Sequence, residues 1–181
     1  MKIKYNAPVI LTYTLIAICL LALCPKAVLN AYFSSPSGLA FSSPDFYARL
    51  VSYIVGHVSW AHLTGNITII LLVGPLLEEK YGSGKLCEMI VVTAAVTGLF
   101  NAFFFSNSLM GGSGIAFMLI LLSSFSNIRS GQIPLTFILI ALLFIGNEVI
   151  ATLKIDRISQ FSHLAGGFAG AAYGFLRGGR R

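Results

Sequence analysis

The residues of this 181-residue chain that could do chemistry are a serine among glycines and three histidines. Ser113 follows Gly111 and Gly112 and opens an apolar run, so its hydroxyl is expected at a helix N-terminus, beside free backbone N–H groups. Serine becomes an effective nucleophile when a base takes its proton, and neutral histidine suits that task near pH 7. A Gly-Gly-Ser-Gly sequence is also an ordinary helix cap, so Ser113 needs such a partner.

His163 is the candidate base. It precedes Gly166, Gly170 and Gly174, which repeat every four residues and predict a smooth helix face that admits another helix at close range. If that neighbour is the run beginning at Ser113, imidazole and hydroxyl would meet. Small-residue packing with a structural histidine is the alternative. No Asp or Glu is obviously placed to complete a triad, which favours a Ser–His dyad.

His62 and Asn66 are spaced i, i+4, so their side chains leave one helix face a turn apart. Two such polar side chains suit a developing anion, as in the oxyanion holes of acyl-transfer enzymes. The pair is predicted at a depth similar to that of Ser113 and His163.

These residues must be positioned by membrane helices, because 56% of the chain is hydrophobic and 10% is charged. We predict an all-α membrane protein with one domain over residues 1–181. At ~20 residues a span, six apolar runs fit, over residues 8–23, 61–77, 86–105, 113–127, 133–153 and 158–176. The first run could instead be a signal peptide, but the bulky Leu23 before Cys24 does not fit the cleavage pattern.

The basic residues predict an orientation. Six spans put both termini on one side, and eight Lys or Arg residues fall there against four opposite, which favours cytoplasmic termini. The net charge of +6 therefore indicates membrane topology and not nucleic-acid binding. The lack of an organelle-targeting extension favours the plasma membrane. Cys19, Cys24 and Cys87 are expected to be free thiols.

Two connections stand out. The fourth run, at 15 residues, would span about 22 Å of a ~30 Å hydrocarbon core. Residues 106–112 should then dip into the protein at membrane depth, where irregular backbone must be shielded or line a wet cavity. Residues 34–59 form a long outer connection that either lies half-buried at the membrane surface or is an ordinary loop with aromatic anchors, namely Phe41, Phe46, Tyr47, Tyr53 and Trp60.

The sequences at 111–114, 62–66 and 162–166 resemble those of the rhomboid intramembrane serine proteases, and the similarity covers nearly the whole chain. It implies a six-helix bundle whose short fourth helix starts below the outer surface. It also implies cleavage of transmembrane segments of other membrane proteins, without metal or cofactor. Ser113 would be the nucleophile, His163 the base and then acid, and the oxyanion would be held by His62, Asn66 and the backbone at Gly112 and Ser113. Supporting positions are Gly111, Gly114, Phe117, Gly166, Gly170 and His57.

Some positions depart from that family or stay open. Phe117 stands where many members have a tyrosine, and Ala48-Arg49 where many have Trp-Arg, which predicts looser anchoring of the outer connection. Glu148 could tune His163 or line a substrate gate, but snorkelling to the membrane surface or pairing with Lys154 is favoured. The competing functions are a non-catalytic relative that binds transmembrane helices and a small channel or transporter. The oligomeric state is not predicted.

Overall fold

The computed structural model describes residues 6–128 and 159–177, together with Leu135, Ile138, Leu139, Leu142, Leu143 and Gly146. Its helices are α1 (Pro8–Leu23), α2 (Lys26–Tyr32), α3 (Pro44–Ser52), α4 (Trp60–Tyr81), α5 (Ser83–Phe104), α6 (Ser113–Ile128) and α7 (Ser159–Arg177). This part of the chain contains no strand. Apart from the six single positions, the predicted span 133–153 lies outside the described residues, as do Glu148 and Lys154.

The predicted spans match these helices closely where the two can be compared. The bounds of α1 are those of the first apolar run, and α6 begins at Ser113 as expected. Among the described helices, α4 and α5, each of 22 residues, are long and apolar enough to cross a membrane, while α1 is a shorter apolar helix. The described residues thus form an all-helical bundle of membrane character.

Local sequence explains where α4 begins and ends. The Ser59 side chain accepts a hydrogen bond from the backbone N–H of His62 at 3.2 Å, which caps the helix. At the other end Gly82 has a φ of 83°, a conformation that suits glycine, and its N–H donates to the Glu78 carbonyl at 2.8 Å. The chain therefore reverses at once from α4 into α5.

Helix α7 lies in the groove between α5 and α6. Its glycine face meets α5, since a Cβ at Gly166 would collide with the Thr97 hydroxyl and one at Gly170 with the Thr93 hydroxyl. The same face also reaches α6, the fourth predicted span, because a Cβ at Gly170 would lie 3.0 Å from Cγ of Met118 and one at Gly174 would lie 3.0 Å from Cδ1 of Leu122. The predicted close approach is therefore shared between α5 and α6, and the adjacent Gly167 meets the α6 backbone.

The sequence patterns did not predict two short helices, α2, which precedes the outer connection, and α3, which lies within it. Phe46 and Tyr53 are only 3% and 1% exposed, so they are core residues and not membrane-surface aromatics. The reason for Phe46 is that α3 turns it, with Leu50, toward Ala102 of α5. The other predicted aromatic anchors, Phe41, Tyr47 and Trp60, the last being the first residue of α4, are more than half exposed.

Arg49 makes three hydrogen bonds within the outer connection. Its Nε donates to the Ser34 carbonyl at 2.8 Å, and its Nη2 donates to the Ser34 hydroxyl at 2.9 Å and to the Ser35 carbonyl at 3.0 Å. These bonds link α3 to the segment that follows α2. Arg49 thus fixes the segment, with alanine at the preceding position.

A buried carboxylate joins the start of α1 to the end of α4. Glu78, 3% exposed, accepts hydrogen bonds from the backbone N–H groups of Val9 at 3.0 Å and Ile10 at 3.1 Å. The Ser83 hydroxyl donates to the same carboxylate at 2.7 Å. Since the first N–H groups of a helix have no partner within it, Glu78 satisfies donors that would otherwise be buried unpaired.

Candidate active site

Ser113 and His163 are in direct contact. Ser113 is the first residue of α6 and is 2% exposed, and His163 lies in the second turn of α7. The serine Oγ is 2.9 Å from Nδ1 of His163 and 3.3 Å from Nε2. The shorter distance is within the hydrogen-bond reach needed for proton transfer from a hydroxyl to an imidazole.

The contact depends on how closely α6 and α7 approach. A Cβ added at Gly167, one turn after His163, would lie 3.2 Å from both the Gly114 carbonyl oxygen and the Met118 nitrogen, and 2.6 Å from the Phe117 ring. A Cβ at Gly114 would lie 3.9 Å from the Cα of His163. Gly167, which the sequence patterns did not single out, is therefore the glycine of α7 that sits against the α6 backbone.

His62 and Asn66 lie beside the turn that leads into Ser113. Gly111 has a φ of 129°, and a Cβ there would be 2.9 Å from Nε2 of His62 and 3.4 Å from Nδ2 of Asn66. Any larger residue at this turn would thus strain the backbone and displace the His62 ring. The two predicted oxyanion residues thus lie beside Gly111, two residues before the candidate nucleophile.

The start of α6 supplies further donors. Its first helical hydrogen bond runs from the Ala116 N–H to the Gly112 carbonyl at 2.9 Å. The backbone N–H of Ser113 therefore belongs to the open first turn, where helical partners are missing and the helix dipole is positive. Gly112 is the capping position of α6.

His57 is buried behind these donors. Asn66 Nδ2 donates to its Nε2 at 3.2 Å, and its Nδ1 lies 3.3 Å from the Val55 carbonyl oxygen. The rings of His57 and His62 meet edge to face, with centroids 5.1 Å apart. Burial, and secondly the neighbouring His62, lowers the pKa of His57 to about 4, so this imidazole is neutral near pH 7.

The loop before Ser113 is bonded to the outer connection. The Gly111 N–H donates to the Tyr53 carbonyl at 3.0 Å, and Leu109 and Ser35 exchange two bonds, of 2.7 and 2.8 Å. Asn101 of α5 donates to the Asn107 carbonyl at 2.6 Å. The second half of this loop, from Leu109 to Gly112, is thus packed inside the protein with several of its backbone groups bonded, whereas Ser106, Asn107 and Ser108 are exposed.

The candidate nucleophile lies well along the bundle and not at its rim. A Cβ at Gly112 would be 3.3 Å from Cδ1 of Ile70, the eleventh residue of α4. The chain must therefore pass the first turns of α4 before α6 begins. This arrangement agrees with the predicted dipping loop.

Tyr13 of α1 is a contributor that sequence reasoning missed. Its hydroxyl donates to the Ile54 carbonyl at 2.7 Å and contacts the position that a Cβ on Gly112 would occupy. Helix α1 thereby supports the turn before Ser113. The signal was a tyrosine within an apolar run, because a buried phenol needs a partner for its hydroxyl.

Taken together, the geometry fits acyl transfer. A hydroxyl touches an imidazole, and donors from one side of α4 and from the start of α6 converge on the turn that carries the hydroxyl. Such donors would stabilise negative charge on a tetrahedral intermediate.

Several known proteins are similar to this chain in amino-acid sequence. A family model described as Rhomboid domain matches residues 44–180. Rhomboid protease GlpG of Haemophilus influenzae is 24% identical over 131 residues, which cover 71% of this chain and 68% of the relative. Rhomboid-related protein 1 of Caenorhabditis elegans is 25% identical over 139 residues, covering 71% and 39%.

Rhomboid protease GluP of Bacillus subtilis is 33% identical over 138 residues, which cover 72% of this chain and 27% of the relative. The chain thus spans about two thirds of the first relative and much less of the other two. The matched region contains every residue of the candidate site except Tyr13. Because the family model covers most of the sequence, the chain belongs to the rhomboid family and is an integral membrane protein.

Proposed function

We propose that this protein is an intramembrane serine endopeptidase that cleaves transmembrane segments of other membrane proteins with a Ser113–His163 dyad. The observation that carries the proposal is the 2.9 Å contact between the Ser113 hydroxyl and the His163 ring. Family membership supports the reaction class, since rhomboid proteins act on transmembrane substrates within the bilayer. The site residues supply the chemistry.

The reaction begins with attack of Ser113 Oγ on the scissile carbonyl carbon while His163 takes the hydroxyl proton. The carbonyl oxygen becomes an oxyanion, which the backbone N–H of Ser113 and the side chains of His62 and Asn66 stabilise beside Gly112. His163 then gives its proton to the leaving amine as the C–N bond breaks. An ester between Ser113 and the substrate remains.

The second half uses the same groups with water as the nucleophile. His163 takes a proton from the water, whose oxygen attacks the ester carbonyl, and the oxyanion forms again at the same donors. Collapse of this intermediate releases a carboxylic acid and returns the proton to Ser113. The enzyme is regenerated without a metal or a cofactor.

The membrane explains why the site lies deep between helices. A peptide bond in a transmembrane helix is shielded and fully hydrogen-bonded, so the substrate must unwind locally where polar groups and water can receive its backbone. We place the dyad in one domain of six spans over residues 1–181, in the plasma membrane, with both termini cytoplasmic and the site toward the outer side.

The test uses purified protein in liposomes with a panel of single-pass membrane proteins, followed by mass spectrometry of the products. We expect a cut within or close to a transmembrane segment, and no cut with Ser113→Ala. Identical fragments from the Ser113→Ala variant would contradict the proposal. Binding of these substrates without any cleavage by the wild type would favour the non-catalytic alternative.

A further inference from the structure

We propose that His57 is a positioning residue that fixes the orientation of the Asn66 amide, so that an N–H of Asn66, and not its carbonyl oxygen, faces the oxyanion. The inference rests on the proposed function, because it assigns His57 to the oxyanion site of that reaction. His57 itself stays behind Asn66 and does not touch the reacting atoms.

The Val55 carbonyl determines the tautomer of the His57 ring. Its Nδ1 lies 3.3 Å from the Val55 carbonyl oxygen, which can only accept a hydrogen bond. Nδ1 therefore carries the proton. In a neutral imidazole the other nitrogen is then an acceptor, so Nε2 presents a lone pair.

The tautomer of His57 in turn determines the orientation of the Asn66 amide. The two ends of an amide are nearly identical in shape, but one donates and the other accepts. Because the lone pair of His57 Nε2 faces Asn66 at 3.2 Å, the amide must turn its NH2 group toward the histidine. The opposite orientation would bring two acceptors together in a buried place, as His57 is 1% and Asn66 5% exposed.

The orientation of the Asn66 amide matters for the reaction because it decides which end of the amide faces the oxyanion. An amide nitrogen has two hydrogens, and His57 takes one of them. The same nitrogen lies 3.4 Å from the position of a Cβ on Gly111, at the turn that leads into Ser113. The second N–H is thus available on the side of the candidate oxyanion. Without His57, the amide can rotate and present its oxygen there, which would repel the developing charge.

The chain holds His57 in place through neighbouring contacts. It lies in the segment between α3 and α4, two residues after the carbonyl that sets its tautomer. Ser59, two residues later, caps α4, so the segment is fixed to the helix that carries Asn66. The orientation of the Asn66 amide is therefore set by two successive hydrogen bonds, one between the Val55 carbonyl and the His57 ring and one between that ring and the amide.

The test compares kcat and KM of His57→Gln and His57→Asn in the wild-type and Asn66→Ala backgrounds, with Ser113→Ala as blank. The glutamine carbonyl reaches the Nε2 position, whereas the shorter asparagine reaches only that of Nδ1. We expect His57→Asn to lower kcat roughly 10- to 100-fold with KM nearly constant. His57→Gln should recover most of the rate. In the Asn66→Ala background neither substitution should change kcat more than about twofold.

Equal losses in both backgrounds, or a glutamine variant as slow as the asparagine variant, would overturn the positioning role. Should His57→Asn not fold, nitrogen NMR of histidine-labelled wild type decides, with Nδ1 of His57 protonated and Nε2 not. The reverse tautomer would refute the inference. Failure of the proposed function would look different, because the wild type itself would then show no Ser113-dependent cleavage.

Discussion

Gly167 of α7 lies against Gly114 of α6, and this contact sets the distance between His163 and Ser113. A Cβ on Gly167 would be 3.2 Å from the Gly114 carbonyl oxygen. His163 is one turn before Gly167 on the same helix, and Ser113 is adjacent to Gly114. The dyad thus depends on a close approach of two helix backbones, which small residues permit.

Replacement of Gly167 by alanine should therefore impair both stability and activity. The added methyl meets the Phe117 ring at 2.6 Å and α6 backbone atoms, so the helices must move apart. We expect a loss of about 1–3 kcal/mol in the free energy of unfolding and at least a roughly 10-fold loss in kcat. Unfolding in micelles and substrate cleavage provide the two measurements.

Gly84→Ala is the matched control. It lies in the first turn of α5, and a Cβ there would meet nothing within 4 Å. Since alanine favours helix over glycine by about 1 kcal/mol, this variant should be neutral or slightly stabilised. Wild-type activity in Gly167→Ala would contradict the proposed role of the helix contact.

Loss of either proposed oxyanion side chain should slow the chemical step. Asn66→Ala and His62→Ala should each lower kcat by roughly 10²–10³ if the side chain donates to the oxyanion. KM should change little, because the interaction is strongest in the transition state. Thr64→Ala, an exposed neighbour on α4, is the control and should keep the wild-type rate. A rise in KM without a change in kcat would instead indicate a role in substrate binding.

Glu78 should contribute to stability far from the dyad. Glu78→Ala leaves the Val9 and Ile10 N–H groups without their carboxylate, so we expect roughly 2–3 kcal/mol of destabilisation. Glu79→Ala removes the exposed carboxylate next to it and should stay within about 0.5 kcal/mol of wild type. Equal unfolding midpoints for the two variants would show that the buried bonds do not stabilise α1.

The buried His57 should make stability depend on pH. Its pKa is lowered from 6.5 to about 4, with His62 as the titratable group facing it. Between these values the unfolded chain binds a proton that the folded protein does not. The free energy of unfolding should therefore decrease as pH falls through this range, by about 1–3 kcal/mol, and level off below it.

The measurement is the unfolding midpoint of wild type and His57→Gln as pH is lowered from neutral to acid. The variant should lose less stability than wild type, because the buried imidazole is gone while His62 and His163 remain. The same pH slope in both proteins would show that His57 is not the group responsible.

The sequence predicted the parts of this structure that rest on local pattern. Hydropathy alone placed α1 and the start of α6, and the glycines before Ser113 predicted the turn that opens α6. The i, i+4 spacing put His62 and Asn66 on one face. These features depend on residues close in sequence, so single-chain reasoning can reach them.

Other features depend on which helices become neighbours, and the pattern of residues along the sequence does not determine those neighbours. The glycine repeat of α7 predicted a close contact but not that Thr93 and Thr97 of α5 would fill it. The role of Gly167 could be recognised only once the position of α7 between α5 and α6 was known. Tyr13 and Glu78 each bond to segments more than 40 residues away, so their partners were visible only in the fold.

Activation of Ser113 by His163 can be measured as the rate of covalent labelling by a serine-reactive fluorophosphonate. We expect an adduct on Ser113 in the wild type, none in Ser113→Ala, and labelling slowed by at least roughly 10²-fold in His163→Ala. An adduct on another residue, or an unchanged labelling rate in His163→Ala, would contradict this activation.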